Sequence, residues 1–338
     1  MYPSLITARL PWLAPVDADA MVLVAEIYRL AANQRPAKKE ATMHLAIALP
    51  FGDIGGDGPI VREFAELAEA EGYDGLTLAD HVLGGNPANP ASGRAGGLGL
   101  FHDPFVAFGF IAACTKKVEL STQVLILAQR QTVLVAKQAA SLDVLSGGRF
   151  RFGIGVGWNE MEFVGLNENF HNRGKRSEEQ VQVMKALWAD PYITFEGKWH
   201  RLQDAGINPR PPRRKIPLWF GGHMDVTLQR IAKWGDGWMM LSEPPGPKAI
   251  ADFDKLRRLV EAEGRDPASV GLEVWTSTGT GTERDWREEI SFWKKAGVTH
   301  VTLHNTFGGY HHKRMAGRSM TDHVDAMRRY RNAVADLL

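Results

Sequence analysis

From residue 43 onward the chain repeats one unit eight times: a short apolar strand, then an amphipathic helix. Strands are predicted at 44–50, 75–80, 118–127, 149–156, 216–220, 237–241, 270–277 and 299–304. Helices are predicted between them at 59–72, 103–115, 133–145, 177–188, 225–234 and 247–263. A seventh helix runs from a Thr282/Asp285 capping box to Gly297, and a closing one spans 321–337. Strands that alternate with helices pair in parallel, because each crossover returns the chain to the same end of the sheet. Eight units between residues 43 and 338 fit an α/β fold of the (β/α)8 TIM-barrel type. Two embellishments are expected: a β-hairpin insertion at 192–202 after helix four, and a long Gly/Pro/Asn-rich loop at 81–100 after strand two. A doubly wound open sheet is the alternative. Against it, strand one runs into Pro50-Phe51-Gly52-Asp53, which is not a dinucleotide-binding fingerprint.

Residues 1–42 stand outside the repeat, as an N-terminal extension to a barrel domain at 43–338. Pro3, Pro11 and Pro15 break the start, and 16–32 has the pattern of a helix. Either Met43 is the real start, or the helix covers the barrel base or a neighbouring subunit. A chain begun at Met43 is expected to fold and bind ligand normally; its aggregation would show that 16–32 covers apolar barrel surface. With 40 basic and 39 acidic side chains, charge gives no reason to expect nucleic acid or an anionic membrane as partner. No apolar run approaches the roughly 20 residues of a spanning helix. Asp17 and Asp19 interrupt any signal-peptide core, so a cytoplasmic location is expected. Cys114, the single cysteine, lies in an apolar run and reads as a buried, inert thiol.

A barrel concentrates its chemistry at the C-terminal ends of its strands. Those ends read Asp80-His81, Gln123-Val124-Leu125, Gly157-Trp158-Asn159-Glu160, Gly221-Gly222-His223-Met224 and His304-Asn305. In strand four, Phe150, Phe152, Ile154 and Val156 alternate with Arg151, Gly153 and Gly155, after a glycine stop at Gly147-Gly148. Glycines at 153, 155 and 157 admit either another backbone or a flat ligand. Gly221-Gly222 precedes a helix and reads as a phosphate cradle or as a plain turn. His81 is a candidate acid/base with Asp80 as a candidate orienting carboxylate, although neighbours on a strand face opposite sides. Metal-ligand spacings such as His-x-His or His-Glu-x-x-His are missing, so no metal is expected; His102, His311 and His312 read as solvated loop residues. Trp158, Trp219, Trp238 and Phe51 offer flat apolar surface at the strand ends, or serve as core.

Several runs together resemble the luciferase-like monooxygenase superfamily, closest to its F420-dependent oxidoreductase branch. They are Tyr73-Asp74-Gly75 with Ala79-Asp80-His81, Asp103-Pro104-Phe105, 120–127, and Ala136-Lys137-Gln138 leading to Ser146-Gly147-Gly148-Arg149. The resemblance continues through 153–163, Arg173-Gly174-Lys175-Arg176, Ala186-Leu187-Trp188, Pro217-Leu218-Trp219 with Gly221-Gly222, and Gly235-Asp236-Gly237-Trp238. It covers most of 43–241 and fades beyond. It implies a (β/α)8 barrel carrying F420, or FMN, across the strand ends, near Asp80, His81, Gln123, Val124, Gly157 and Trp158. The cofactor phosphate would rest on Gly221, Gly222 and His223, and a non-proline cis peptide is implied at Gln123–Val124. His81 would be the catalytic proton carrier, the 81–100 loop a substrate-side lid, the substrate a small organic molecule and the assembly a homodimer. Two other readings stand beside this one: a cofactor-free barrel lyase or hydrolase acting on a phosphorylated substrate, and a non-catalytic flavin carrier. A bound visible chromophore separates the first, and turnover of a reduced cofactor separates the second.

Overall fold

Eight parallel strands close into a barrel in the computed structural model, which describes residues 42–86, 88–89, 99–241, 243–308 and 311–338. The helix expected at 16–32 and most of the tip of the 81–100 loop lie outside the described residues. The strands are β1 His44–Ala48, β2 Gly75–Leu78, β3 Glu119–Thr122, β4 Leu125–Ile126, β5 Phe150–Gly155, β6 Ile193–Glu196, β7 Arg201–Ala205, β8 Leu218–Gly221, β9 Gly237–Leu241, β10 Gly271–Thr276 and β11 His300–Leu303. Around the barrel the order is β1, β2, β3 with β4, β5, β8, β9, β10, β11, and β11 pairs again with β1. β3 and β4 are two halves of the one strand expected at 118–127, divided at Gln123–Val124, whose peptide bond is cis. β6 and β7 form the inserted antiparallel hairpin. Glu179 staples that hairpin to the helix Arg173–Ala189 by accepting the backbone N–H groups of Lys198, Trp199 and His200.

Local signals account for most helix ends. Asp57 caps Gly58–Ala70 by accepting from Ile60 N, and Asp103 caps Pro104–Cys114 by accepting from Phe105 N and Val106 N. The Asp285 carboxylate reaches back to Thr282 N at 2.7 Å, as the capping box predicts. Gly147 and Gly148 take left-handed φ values of 72° and 83° after Thr132–Leu145. The helix expected at 177–188 begins earlier, at Arg173, because its first turn is held by polar bonds instead of apolar periodicity. Arg176 there donates to Ala128 O and to the Glu168 carboxylate. Cys114 is half-buried, not buried: it ends its helix, and its Sγ–H faces Phe110 O at 3.2 Å. Among the described residues, no helix is long and apolar enough to cross a membrane.

The main aliphatic and aromatic core lies between strands and helices, while the barrel interior holds a charged network beside Trp219 and Met239. Phe150 and Phe152 point outward onto Phe105 of a surrounding helix. Arg151, between them, points inward, with its Nε 2.6 Å from Glu119 Oε1 and its Nη1 on Glu273. Glu273 also accepts from Gln123 Nε2 at 2.7 Å and Thr302 Oγ1 at 2.6 Å. A buried charge is tolerated only when paired and hydrogen-bonded, and this network supplies both.

Candidate functional site

At the C-terminal end of the barrel the glycines of β5 are filled by the chain itself. A Cβ on Gly153 would stand 2.0 Å from Thr122 O, so the neighbouring strand's backbone takes that space. On Gly155 a Cβ would stand 2.6 Å from one Val124 methyl, and on Gly221 2.8 Å from the other. Val124 is therefore locked between the ends of β5 and β8. Of the two uses the sequence left open for these glycines, positions 153 and 155 serve close approach of protein.

The Asp80–His81 pair divides its work. Asp80 is buried beneath the site, accepting from Ile126 N at 3.0 Å and from Arg130 Nη2 at 2.8 Å. Burial raises its pKa above the ordinary value, against the charge and hydrogen bond of Arg130 and the Ile126 amide. Arg130 also bonds Asp103 at 2.9 Å, which ties the helix Pro104–Cys114 to the same point. Asp80 thus holds the chain just after the cis peptide, and the carboxylate that orients His81 is a different one. Glu162, in the short helix Glu160–Gly165, lies 3.1 Å from His81 Nδ1. The same Oε1 accepts Val82 N at 3.0 Å, and Oε2 accepts Gln129 Nε2 at 2.9 Å. Burial opposes the charge on Glu162, but the His81 and Gln129 hydrogen bonds and the Val82 amide overcome it, holding its pKa below the ordinary value. His81 responds oppositely. The hydrogen bond to Glu162 raises its pKa, with partial desolvation working against it.

With Nδ1 engaged, Nε2 is the nitrogen left to exchange a proton at the surface of the site. The ring stands between Phe101, at 4.9 Å, and Trp158, at 6.0 Å. Trp158 is 58% exposed and Phe101 is exposed as well, so apolar surface adjoins the histidine. Glu160 lies away from this pocket, exposed beside His171. A raised His81 pKa means that its share of folding stability is full below histidine's ordinary value and fades as pH rises through the raised one. Glu162→Gln is expected to lower the His81 pKa toward about 6.5. NMR titration of the ring resonances measures it; an unshifted midpoint would show that Glu162 does not control the proton.

The remaining expected residues fall in three places. Gln123 turns its side chain inward to Glu273, leaving its main chain at the strand end. Gly157 packs on Ile126 and Phe163, and its carbonyl accepts from Arg173 Nε at 3.1 Å. Gly221, Gly222 and His223 form the turn before the helix Asp225–Trp234, which has no side-chain cap. Gly222 takes φ 128°, and its carbonyl accepts Trp238 Nε1 at 2.8 Å. Of the four aromatics expected at the strand ends, Trp158 is open surface, while Phe51, Trp219 and Trp238 are buried. The loop histidines are not solvated. His102 Nε2 bonds Gly56 O at 2.7 Å, and His312, buried, lies 3.3 Å from Glu289.

Two features at this end fit a flat, anionic ligand. Trp275 Nε1 and His304 Nδ1, near the ends of β10 and β11, are buried without a hydrogen-bond partner among the described residues. The helix Asp225–Trp234, which follows the Gly221–Gly222 turn, has no side-chain cap, and a helix N-terminus favours a negative group.

The chain is similar to proteins that are already known. A curated relative, the F420-dependent glucose-6-phosphate dehydrogenase of Kineococcus radiotolerans, is 30% identical over 219 residues, 63% of this chain and 62% of that protein. The structure of an F420-dependent secondary alcohol dehydrogenase in complex with an F420-acetone adduct superposes with a TM-score of 0.66 at 18% identity, covering 87% of this chain and 99% of that one. Riboflavin lyase with modified FMN and riboflavin superposes with a TM-score of 0.61 at 19% identity, over 75% and 67% of the two chains. These structural likenesses are likenesses of fold. The sequence profile of the luciferase-like monooxygenases matches residues 43–336, the whole barrel, and the chain belongs to that family.

Proposed function

We propose that the protein is an oxidoreductase that binds F420 across the C-terminal strand ends and exchanges a hydride with a small organic substrate. The observation that carries the reading is His81, held through Nδ1 by buried Glu162 and placed in an apolar, half-open pocket. The cofactor supplies the hydride chemistry; the protein must bind it, exclude water and manage one proton. Val124, wedged between β5 and β8, and Gly157 form the floor of the slot. Exposed Trp158 and Phe101 form its apolar wall. Glu162 fixes which nitrogen of His81 faces the substrate and stabilises its protonated form. The Gly221–Gly222–His223 turn and the N–H groups of the helix Asp225–Trp234 hold the cofactor's phosphate.

FMN is the second reading, because the fold alone accommodates both in its relatives. A homodimer and a cytoplasmic location complete the proposal, with residues 1–42 as an appendage to the barrel. Gly222→Val tests the phosphate placement. A side chain there meets Thr227 Oγ1 at 3.1 Å from a backbone at φ 128°, so the turn must reorient. Losing one or two amide bonds to a charged group weakens F420 binding by about 10–100-fold. Unchanged affinity in a variant with wild-type circular dichroism would count against the placement.

A further inference from the structure

We propose that His44, Glu119 and His300 form a binding site for one divalent transition-metal ion of the zinc type, on the barrel floor opposite the candidate active site. Each residue opens a strand: His44 β1, Glu119 β3 and His300 β11. His44 is in register with His300, Ala46 with Gly75 and Gly75 with Glu119, so the three side chains start near the N-terminal strand ends. The intervening strand β2 contributes only Gly75, whose Cβ would stand 2.9 Å from His44 Cε1. Through that gap the His44 ring reaches Glu119, with Nε2 3.9 Å from Oε1. The two imidazoles are 4.7 Å apart, and one ligand atom from each of the three residues lies within 4.8 Å of the other two.

The surroundings prepare these atoms for an ion. Thr299 Oγ1 donates to Leu272 O at 3.1 Å, so it accepts from His300 Nδ1 at 2.8 Å. That bond leaves the lone pair on Nε2, the arrangement that supporting partners give to metal-bound histidines. Arg151 fixes Glu119 through Oε1, leaving Oε2 for a cation, and Glu273 balances the arginine's charge. Two imidazoles and a carboxylate suit zinc, and the partial exposure of His44 and Glu119 leaves room for a water as fourth ligand. Zinc bonds of about 2.0–2.1 Å need the donors about 3.3 Å apart, which side-chain rotations supply. The ion would fasten β11, β1 and β3 together and takes no part in the proposed reaction. Packing alone is the competing explanation, since Trp219 lies edge-on to His300 at 4.6 Å.

Zn2+ titrated calorimetrically into metal-stripped full-length protein is expected to bind one equivalent. Anomalous diffraction at the zinc edge should then show a peak between His44, Glu119 and His300. His300→Gln and His44→Gln should each weaken binding by about 100-fold or more. Conversion of both His311 and His312 to Gln, in the other His/Glu cluster, should leave this binding intact. Absence of stoichiometric binding, a peak at Glu289 instead, or unchanged affinity in His300→Gln would overturn the proposal. Should the floor variants not fold, the anomalous peak of the wild-type protein decides alone.

Discussion

Replacing His81 with alanine is expected to leave cofactor binding in place and to lower turnover by about 10²–10⁴-fold, the usual contribution of a positioned acid or base. The ring does little for the fold. The loop that follows it is anchored by Glu162, which takes the Val82 N–H at 3.0 Å and Gln129 at 2.9 Å whether or not His81 is present. What the variant removes is a protonatable group whose pKa the Glu162 hydrogen bond raises above histidine's ordinary value. Steady-state kinetics with reduced F420 and a carbonyl acceptor series would measure the loss, and fluorescence titration would check that affinity is retained. Near-wild-type turnover would show that His81 serves only as a partner for Glu162 and would move the proton step to water.

The second large effect concerns stability. Arg151→Met is expected to destabilise the barrel by about 3–5 kcal/mol, because it leaves a buried carboxylate without its cation. Glu273 has no exposed surface, and once Arg151 is gone only Gln123 and Thr302, among the described residues, donate to it. Chemical denaturation measures the change, and the melting temperature should fall by on the order of 10 °C. The double variant Arg151→Met, Glu273→Gln should recover much of the loss, since the unpaired charge is then removed as well. A single-variant cost below about 1 kcal/mol would show that water reaches this layer and screens the pair.

The strand–helix alternation made the barrel legible, because period and order alone dictate parallel pairing. The hairpin, the capping box at Thr282 and the glycine stop at Gly147 were equally readable, each a local signal. Alternation in β5 separated Phe150 and Phe152 from Arg151 and Gly153, yet it did not say which face was inside. In a closed barrel the narrow interior takes the glycines and the paired charges, and the broad phenylalanine face goes to the helices. The Arg151–Glu273 network spans β5 and β10, and no spacing in the sequence links them. The same holds for the partner of His81. Adjacency suggested Asp80, but strand geometry turns Asp80 toward Arg130 and brings Glu162 from another strand end. Glu162 had a faint signal as a second acidic residue in Asn159-Glu160-Met161-Glu162, where a short helix turns one acid inward and leaves the other in solvent. Cys114 shows the opposite limit: an apolar run marks a helix that packs, without saying which of its residues ends on the rim.

The most direct measurement is a fluorescence titration of apoprotein with F420 and, separately, with FMN, repeated on Gly222→Val. One equivalent of F420 is expected to bind the wild-type protein more tightly than FMN does, with affinity falling about 10–100-fold in the variant. Failure of both cofactors to bind a correctly folded wild-type protein would contradict the assignment of the strand ends as a deazaflavin site.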